Sequence, residues 1–243
     1  MIPIDPTPTP QSPIRSSPFF DYTDLFFFLA LCVPSLLIAA LLVRGVALLI
    51  PTPTPAKLLL IQTVWYFLSF GSVAALFRIR YQQSFWRALG WRPVSFSAAA
   101  GAIFAGPLLT LSVGLLGSAL HTPDIELPFE DMLSARGTLV LLGVLVVILG
   151  PVAEELAFRG FLMPLLIRSI GVVGGIVLTG FIFGSIHGYE YQWSWQYMLL
   201  ISLVGCVFGW VKCKTQSTVA AALMHCTFNL TQFAALLLRS RTL

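Results

Sequence analysis

The chain has 243 residues, 57% of them hydrophobic and only 10% charged, with a mean hydropathy of +0.89. About a quarter of the residues in a soluble domain are charged. This composition therefore excludes an ordinary soluble domain, a disordered chain and a nucleic-acid-binding protein. The net charge of +4 arises from Arg and Lys set in short gaps between apolar runs, which is the pattern of membrane-orientation signals.

Residues 1–23 hold six of the 16 prolines, including Pro-Thr-Pro-Thr-Pro at 6–10, and are predicted to be a disordered, extended tail. The remainder, 24–243, reads as one membrane domain. Its apolar segments fall at about 25–50, 57–77, 96–120, 137–168, 171–189, 195–212 and 218–239. Each approaches the ~20 residues that cross ~30 Å of hydrocarbon. The prediction is an all-α polytopic bundle of about 7–8 transmembrane helices, surrounded by lipid and placed in the cell (inner) membrane. A second Pro-Thr-Pro-Thr-Pro, at 51–55, reads as a stiff connector. The fourth segment is too long for a simple crossing, so it either projects from the bilayer or breaks at Pro151. The cysteines (Cys32, Cys206, Cys213 and Cys226) form no CxxC pair and read as small packing residues.

Arg78, Arg80, Arg87 and Arg92, interleaved with Phe85, Trp86 and Trp91, mark 78–95 as an interfacial segment on the cytoplasmic side. Asp124, Glu126, Glu130 and Asp131 place the 121–136 gap outside. Alternation then puts Arg168 and the Lys212/Lys214 turn inside and the C-terminus outside, where Arg239 and Arg241 run against the rule.

Few polar residues interrupt the apolar runs. Arg44 can snorkel from a helix end. The others are Glu154, Glu155, Arg159, His187, His225 and Asn229. An ionisable group at mid-membrane costs ~2.5–3.5 kcal/mol and calls for a partner or a purpose. Glu155 and Arg159 are i,i+4 neighbours in the favourable order and can neutralise one another as a supporting pair. Glu154 lies ~100° around the helix and is left free. It stands 17 residues before Gly171 and His187 stands 16 after it. If Gly171 is the turn of an antiparallel pair, the two share one height, ~24–26 Å from the tip. His225 and Asn229, again i,i+4, share a helical face.

A carboxylate, an imidazole and two donors, with no Ser or Cys in a matched position, suit attack by an activated water on a carbonyl. A metal variant would hold zinc or another divalent cation through Glu154, His187 and His225, although no HExxH spacing is present. Two other classes fit less of the pattern: a proton-coupled transporter, and a non-catalytic membrane scaffold or immunity protein. The site is expected in a water-filled cavity opening towards the cytoplasm.

The set Glu154-Glu155-xxx-Arg159-Gly160, Phe183-xxx-His187 and His225-xxx-Asn229, over about residues 137–235, resembles the motifs of the CPBP family. These are the CAAX proteases and bacteriocin-processing proteins, also called the Abi family, related to the type II CAAX prenyl endopeptidase. Leu89-Gly90-Trp91-Arg92-Pro93 is more loosely similar. The resemblance implies an intramembrane endopeptidase, a hydrolase acting on a membrane-associated protein or peptide. It implies that Glu154 and His187 activate water, that His225 and Asn229 form the oxyanion hole, and that Glu155 and Arg159 support them. Many members are labelled metalloproteases, and the family's chemistry can also be read as glutamate-dependent without metal.

Overall fold

A computed structural model describes residues 18–125, 132 and 136–240. Its helices are α1 (Tyr22–Leu49), α2 (Thr54–Tyr81), α3 (Phe85–Ala88), α4 (Phe96–Ala119), α5 (Arg136–Val144), α6 (Gly150–Glu155), α7 (Met163–Ile186), α8 (Trp195–Thr215) and α9 (Thr218–Ser240). Two π-helical stretches, Leu145–Leu149 and Leu156–Leu162, join α5, α6 and α7 into one continuous rod. The described residues are helical with no strand, as the composition demands. Six helical stretches are long and apolar enough to cross a membrane, and one of them is the 50-residue Gly137–Ile186.

That rod is two helices. Gly171 leaves the helical region at φ 77°, ψ 174°, a conformation that only glycine adopts without strain. The chain doubles back there: Phe158 and Phe183, 13 residues before and 12 after, meet edge-on with ring centroids 5.2 Å apart. The long fourth segment thus runs on past Pro151 to Gly171 and returns as an antiparallel partner. A Cβ on Gly175 would lie 2.8 Å from the Ile167 backbone nitrogen, so the absent side chain lets the two arms close.

The returning arm packs along α8, α4 along α9, and α1 along α2. Leu41, Leu115, Val173 and many other large apolar side chains point outwards, the arrangement expected where lipid is the solvent. This is an integral, multi-pass membrane protein. Its cores are small and local: Phe28, Val73, Phe77 and Phe161 between α1, α2 and the rod, and Val204, Phe208 and Met224 between α8 and α9.

The tail expected over 1–23 ends earlier than the proline count suggested, and residues 1–17 lie outside the described residues. Phe20 is fully buried, stacked on Phe77 at 5.5 Å and packed on Phe161 at 4.8 Å. Asp21 caps α1 through the amides of Thr23 and Asp24. Asp24 is buried because it accepts from Arg80 at 3.0 Å and from the Tyr81 hydroxyl at 2.7 Å, tying α1 to the end of α2. The acids Glu126, Glu130 and Asp131 of the 121–136 gap, and Arg241, also lie outside the described residues. The four cysteines are free thiols.

The segment after α2 is anchored rather than merely interfacial. Gly90 turns at φ 67°, and its carbonyl accepts the Thr218 amide at 2.9 Å, while the Leu89 carbonyl accepts the Thr218 hydroxyl at 2.6 Å. Gly160 admits this loop, since a Cβ there would lie 2.9 Å from both the Leu89 Cβ and its carbonyl oxygen.

Candidate active site

The site begins with a defect in the rod. In the π-helical stretch Leu145–Leu149 the Gly150 amide bonds the Leu145 carbonyl, five residues back. The next carbonyl, Val146, would in the same spacing receive the amide of residue 151, but that residue is proline and has no N–H. Asn229 supplies the missing donor from α9: its Nδ2 bonds the Val146 oxygen at 2.9 Å. Glu154 and Glu155 follow on α6, before the second π-helical stretch. Such widened turns are frequent at functional sites because they re-aim the side chains beside them.

Glu155 and Arg159 are both fully buried, with Oε1 and Nη1 2.8 Å apart, as their spacing predicted. Arg159 also donates from Nη2 to the Gly205 carbonyl at 2.8 Å and lies over the Phe183 ring at 4.6 Å. Gly205 and Gly180 meet backbone to backbone, which brings that carbonyl within reach of the guanidinium. Glu155 does more than neutralise Arg159, however. The same Oε1 accepts from His225 Nδ1 at 3.0 Å. Because α9 lays His225 directly against α6, one acid serves both a cation and an imidazole. Among the described residues, Oε2 of Glu155 and Nε of Arg159 are buried with no hydrogen-bond partner.

With its Nδ1 hydrogen held by Glu155, His225 turns Nε2 towards Glu154 Oε2, 3.7 Å away. That gap exceeds a hydrogen bond and is the separation one bridging water can serve. The ring stacks on Phe208 at 4.5 Å. His187 closes the returning arm. Its Nδ1 lies 2.7 Å from the Phe183 carbonyl; a carbonyl only accepts, so Nδ1 carries the hydrogen and the neutral ring leaves Nε2 as an acceptor.

Glu154, His187, His225 and Asn229 all line one cavity of about 620 Å³. No hydrogen bond joins Glu154 directly to His187 among the described residues. Inspection of the apolar runs alone missed other lining residues. Gln62 and Tyr66 come from α2, Glu190 and Tyr191 from the turn after His187, and Tyr197 from the start of α8. Gln62 and Tyr66 lie within the second apolar run, and Glu190, Tyr191 and Tyr197 lie in and beside the turn before α8; the signal was the proximity of Glu190 to His187 in the chain.

The cavity reaches one end of the bundle. Ile125, Met132, Tyr189, Tyr197 and Arg239 border it, so it opens at the bundle end opposite Gly171 and the Lys212/Lys214 turn. The reason is the length of the arms: 16 or 17 residues at 1.5 Å rise carry the site ~24–26 Å from Gly171, most of the way across the hydrocarbon. If the Lys/Arg-rich end is cytoplasmic, this mouth faces the other side.

Glu154, His187 and His225 are the residues through which zinc or another divalent cation would be held. Among the described residues no group of three His, Cys, Asp or Glu side chains converges as a metal site. His225 Nδ1 is held by Glu155 and His187 Nδ1 by the Phe183 carbonyl, bonds that leave each Nε2 available to a substrate, a water or a cation.

Residues 136–231 match the family model described as Rce1-like, type II CAAX prenyl endopeptidase Rce1-like. That range contains all three motifs and every catalytic candidate named above. No curated protein and no solved structure matches the chain.

Proposed function

We propose that this Rce1-like region is the catalytic core of an intramembrane endopeptidase that hydrolyses a peptide bond in a membrane-associated protein or peptide. The observation that carries the reading is the convergence of Glu154, His187, His225 and Asn229, from both arms of the rod and from α9, on one cavity within an otherwise apolar bundle.

In this reading a water held between Glu154 and the Nε2 of His187 attacks the scissile carbonyl carbon. Glu154 takes its proton as the new C–O bond forms. The negative charge moves to the carbonyl oxygen. There the second Nδ2 hydrogen of Asn229 can donate, the first being committed to Val146. His225, its Nδ1 held by Glu155, presents Nε2 as the second donor when the ring is protonated. The C–N bond then breaks and the proton held by Glu154 passes to the leaving nitrogen.

The test is cleavage of a quenched-fluorescent peptide library, and of a host membrane fraction, by purified protein in detergent, beside Glu154→Gln. The reading requires cleavage by the parent and none by the variant. Equal cleavage by both would remove Glu154 from the mechanism.

A further inference from the structure

Besides Glu154, the cavity wall carries a second carboxylate that the hydrolytic scheme leaves unused. Glu190 lies in the turn between α7 and α8, three residues beyond His187. Among the described residues it makes no hydrogen bond and no ion pair, and burial alone pushes its carboxyl above the usual range. Arg239 borders the same cavity, exposed at the rim. Glu154 lines the same cavity.

An acid held this way is unfavourable unless something positive reaches it. Among the described residues no cation bonds to it, and Glu190 lines the open cavity. Around it stand Gln62, Tyr66, Tyr191 and Tyr197. Gln62 Nε2 donates to the Tyr66 hydroxyl at 2.9 Å, and the Tyr191 and Tyr197 rings stack at 4.9 Å. Aromatic faces and a carboxylate together suit the methylene stem and cationic head of a long basic side chain.

We infer that Glu190 is a specificity-determining residue that selects substrates with a lysine or arginine side chain beside the scissile bond, on the side nearer the cavity mouth. The inference rests on the peptidase reading above. Glu154, on the rod, works at the reacting carbonyl. Glu190, on the turn at the mouth, reads the residue next to it. Substrates with an acid at that position are repelled by both carboxylates.

Two measurements on the full chain in detergent test this. The first is the ratio of kcat/KM for matched apolar peptides carrying Lys or norleucine at the varied position. It should be ~10 or more for the parent, the size of one desolvated charge pair, and fall to about 1 in Glu190→Gln. In Glu190→Lys the preference should turn to a Glu-bearing peptide. The second is binding, by anisotropy, of the fluorescein-labelled Lys and norleucine peptides to Glu154→Gln. The Lys peptide should bind ~10-fold tighter, and Glu154→Gln/Glu190→Gln should lose that difference. Cleavage by the parent with no preference, or a preference that survives Glu190→Gln, overturns the inference and leaves the peptidase reading standing. Selective binding with no cleavage by the parent overturns the peptidase reading and leaves the cation site.

Discussion

His225 Nδ1 and Glu155 Oε1 lie 3.0 Å apart, both groups buried, on helices 70 residues distant in sequence. The bond links the ion pair inside the rod to the imidazole at the cavity. Its effect is directional: with Nδ1 engaged, only Nε2 of His225 can meet a substrate. Glu155 is thus a positioning group as well as the counter-ion of Arg159, and variants at the two sites should separate those tasks.

Glu154→Gln should retain the fold, because its carboxyl touches the cavity and carries no helix–helix bond. It should lose ~10²–10⁴ in kcat/KM on any peptide the parent cuts, the usual worth of a positioned base. Melting temperature in detergent and initial rates, measured on one preparation, check both halves.

Arg159→Ala should lower stability by ~3–5 kcal/mol, since it strands Glu155 as an uncompensated buried acid and removes the bond to Gly205. Glu155→Gln keeps an oxygen for His225 but strands the guanidinium, with a similar loss. Thermal unfolding in detergent reads both. A shift within a degree of the parent in either would mean that the pair is not the structural tie described above.

Asn229→Ala should leave the Val146 carbonyl unsatisfied, at a cost of ~1–3 kcal/mol. Pro151→Ala restores an amide to the rod at the place where the ladder lacks one. If Asn229 replaces that missing donor, Asn229→Ala should cost much less stability in the Pro151→Ala background. A double-mutant cycle measures the coupling; strict additivity would show that the two residues do not share the carbonyl.

Hydrolysis should persist after treatment with a strong chelator, because the proposed base, donors and water need no cation. Loss of activity that zinc restores would instead show that Glu154, His187 and His225 rearrange around a metal.

The open end of the cavity should face away from the Lys/Arg-rich turns. A glycosylation or cysteine-accessibility tag in the 51–53 connector should be reached from outside, and one in the 82–84 turn from inside. The reverse labelling pattern would mean that the membrane orientation is inverted.

Much of this was legible in the sequence. Gly171 announced the turn because a helix pair needs a residue free to take positive φ, and counting from it set Glu154 and His187 near one level. The i,i+4 spacing of Glu155 and Arg159 was a local property and carried through. What a pattern of spacings could not give was contact across helices. Neither His225 on Glu155 nor Asn229 on Val146 has a periodicity to reveal it, because each depends on how α9 rotates against the rod. The tail was over-extended because proline content speaks of backbone freedom, while Phe20 is fixed by burial against rings from two distant segments.

The hydrogen bonds from Thr218 to the 89–90 turn have a consequence for where this protein can vary. They fasten the start of α9 to a stretch of chain that precedes residue 136, and Gly160 clasps the same stretch from the other side. Gln62 and Tyr66, also upstream, line the cavity directly. The matched region therefore contains the motif residues but not the whole wall of the cavity they line. Substitutions along α2 can reshape the chamber while every motif residue stays in place. An excised 136–231 fragment would bring Glu154 and His187 without the wall that faces them.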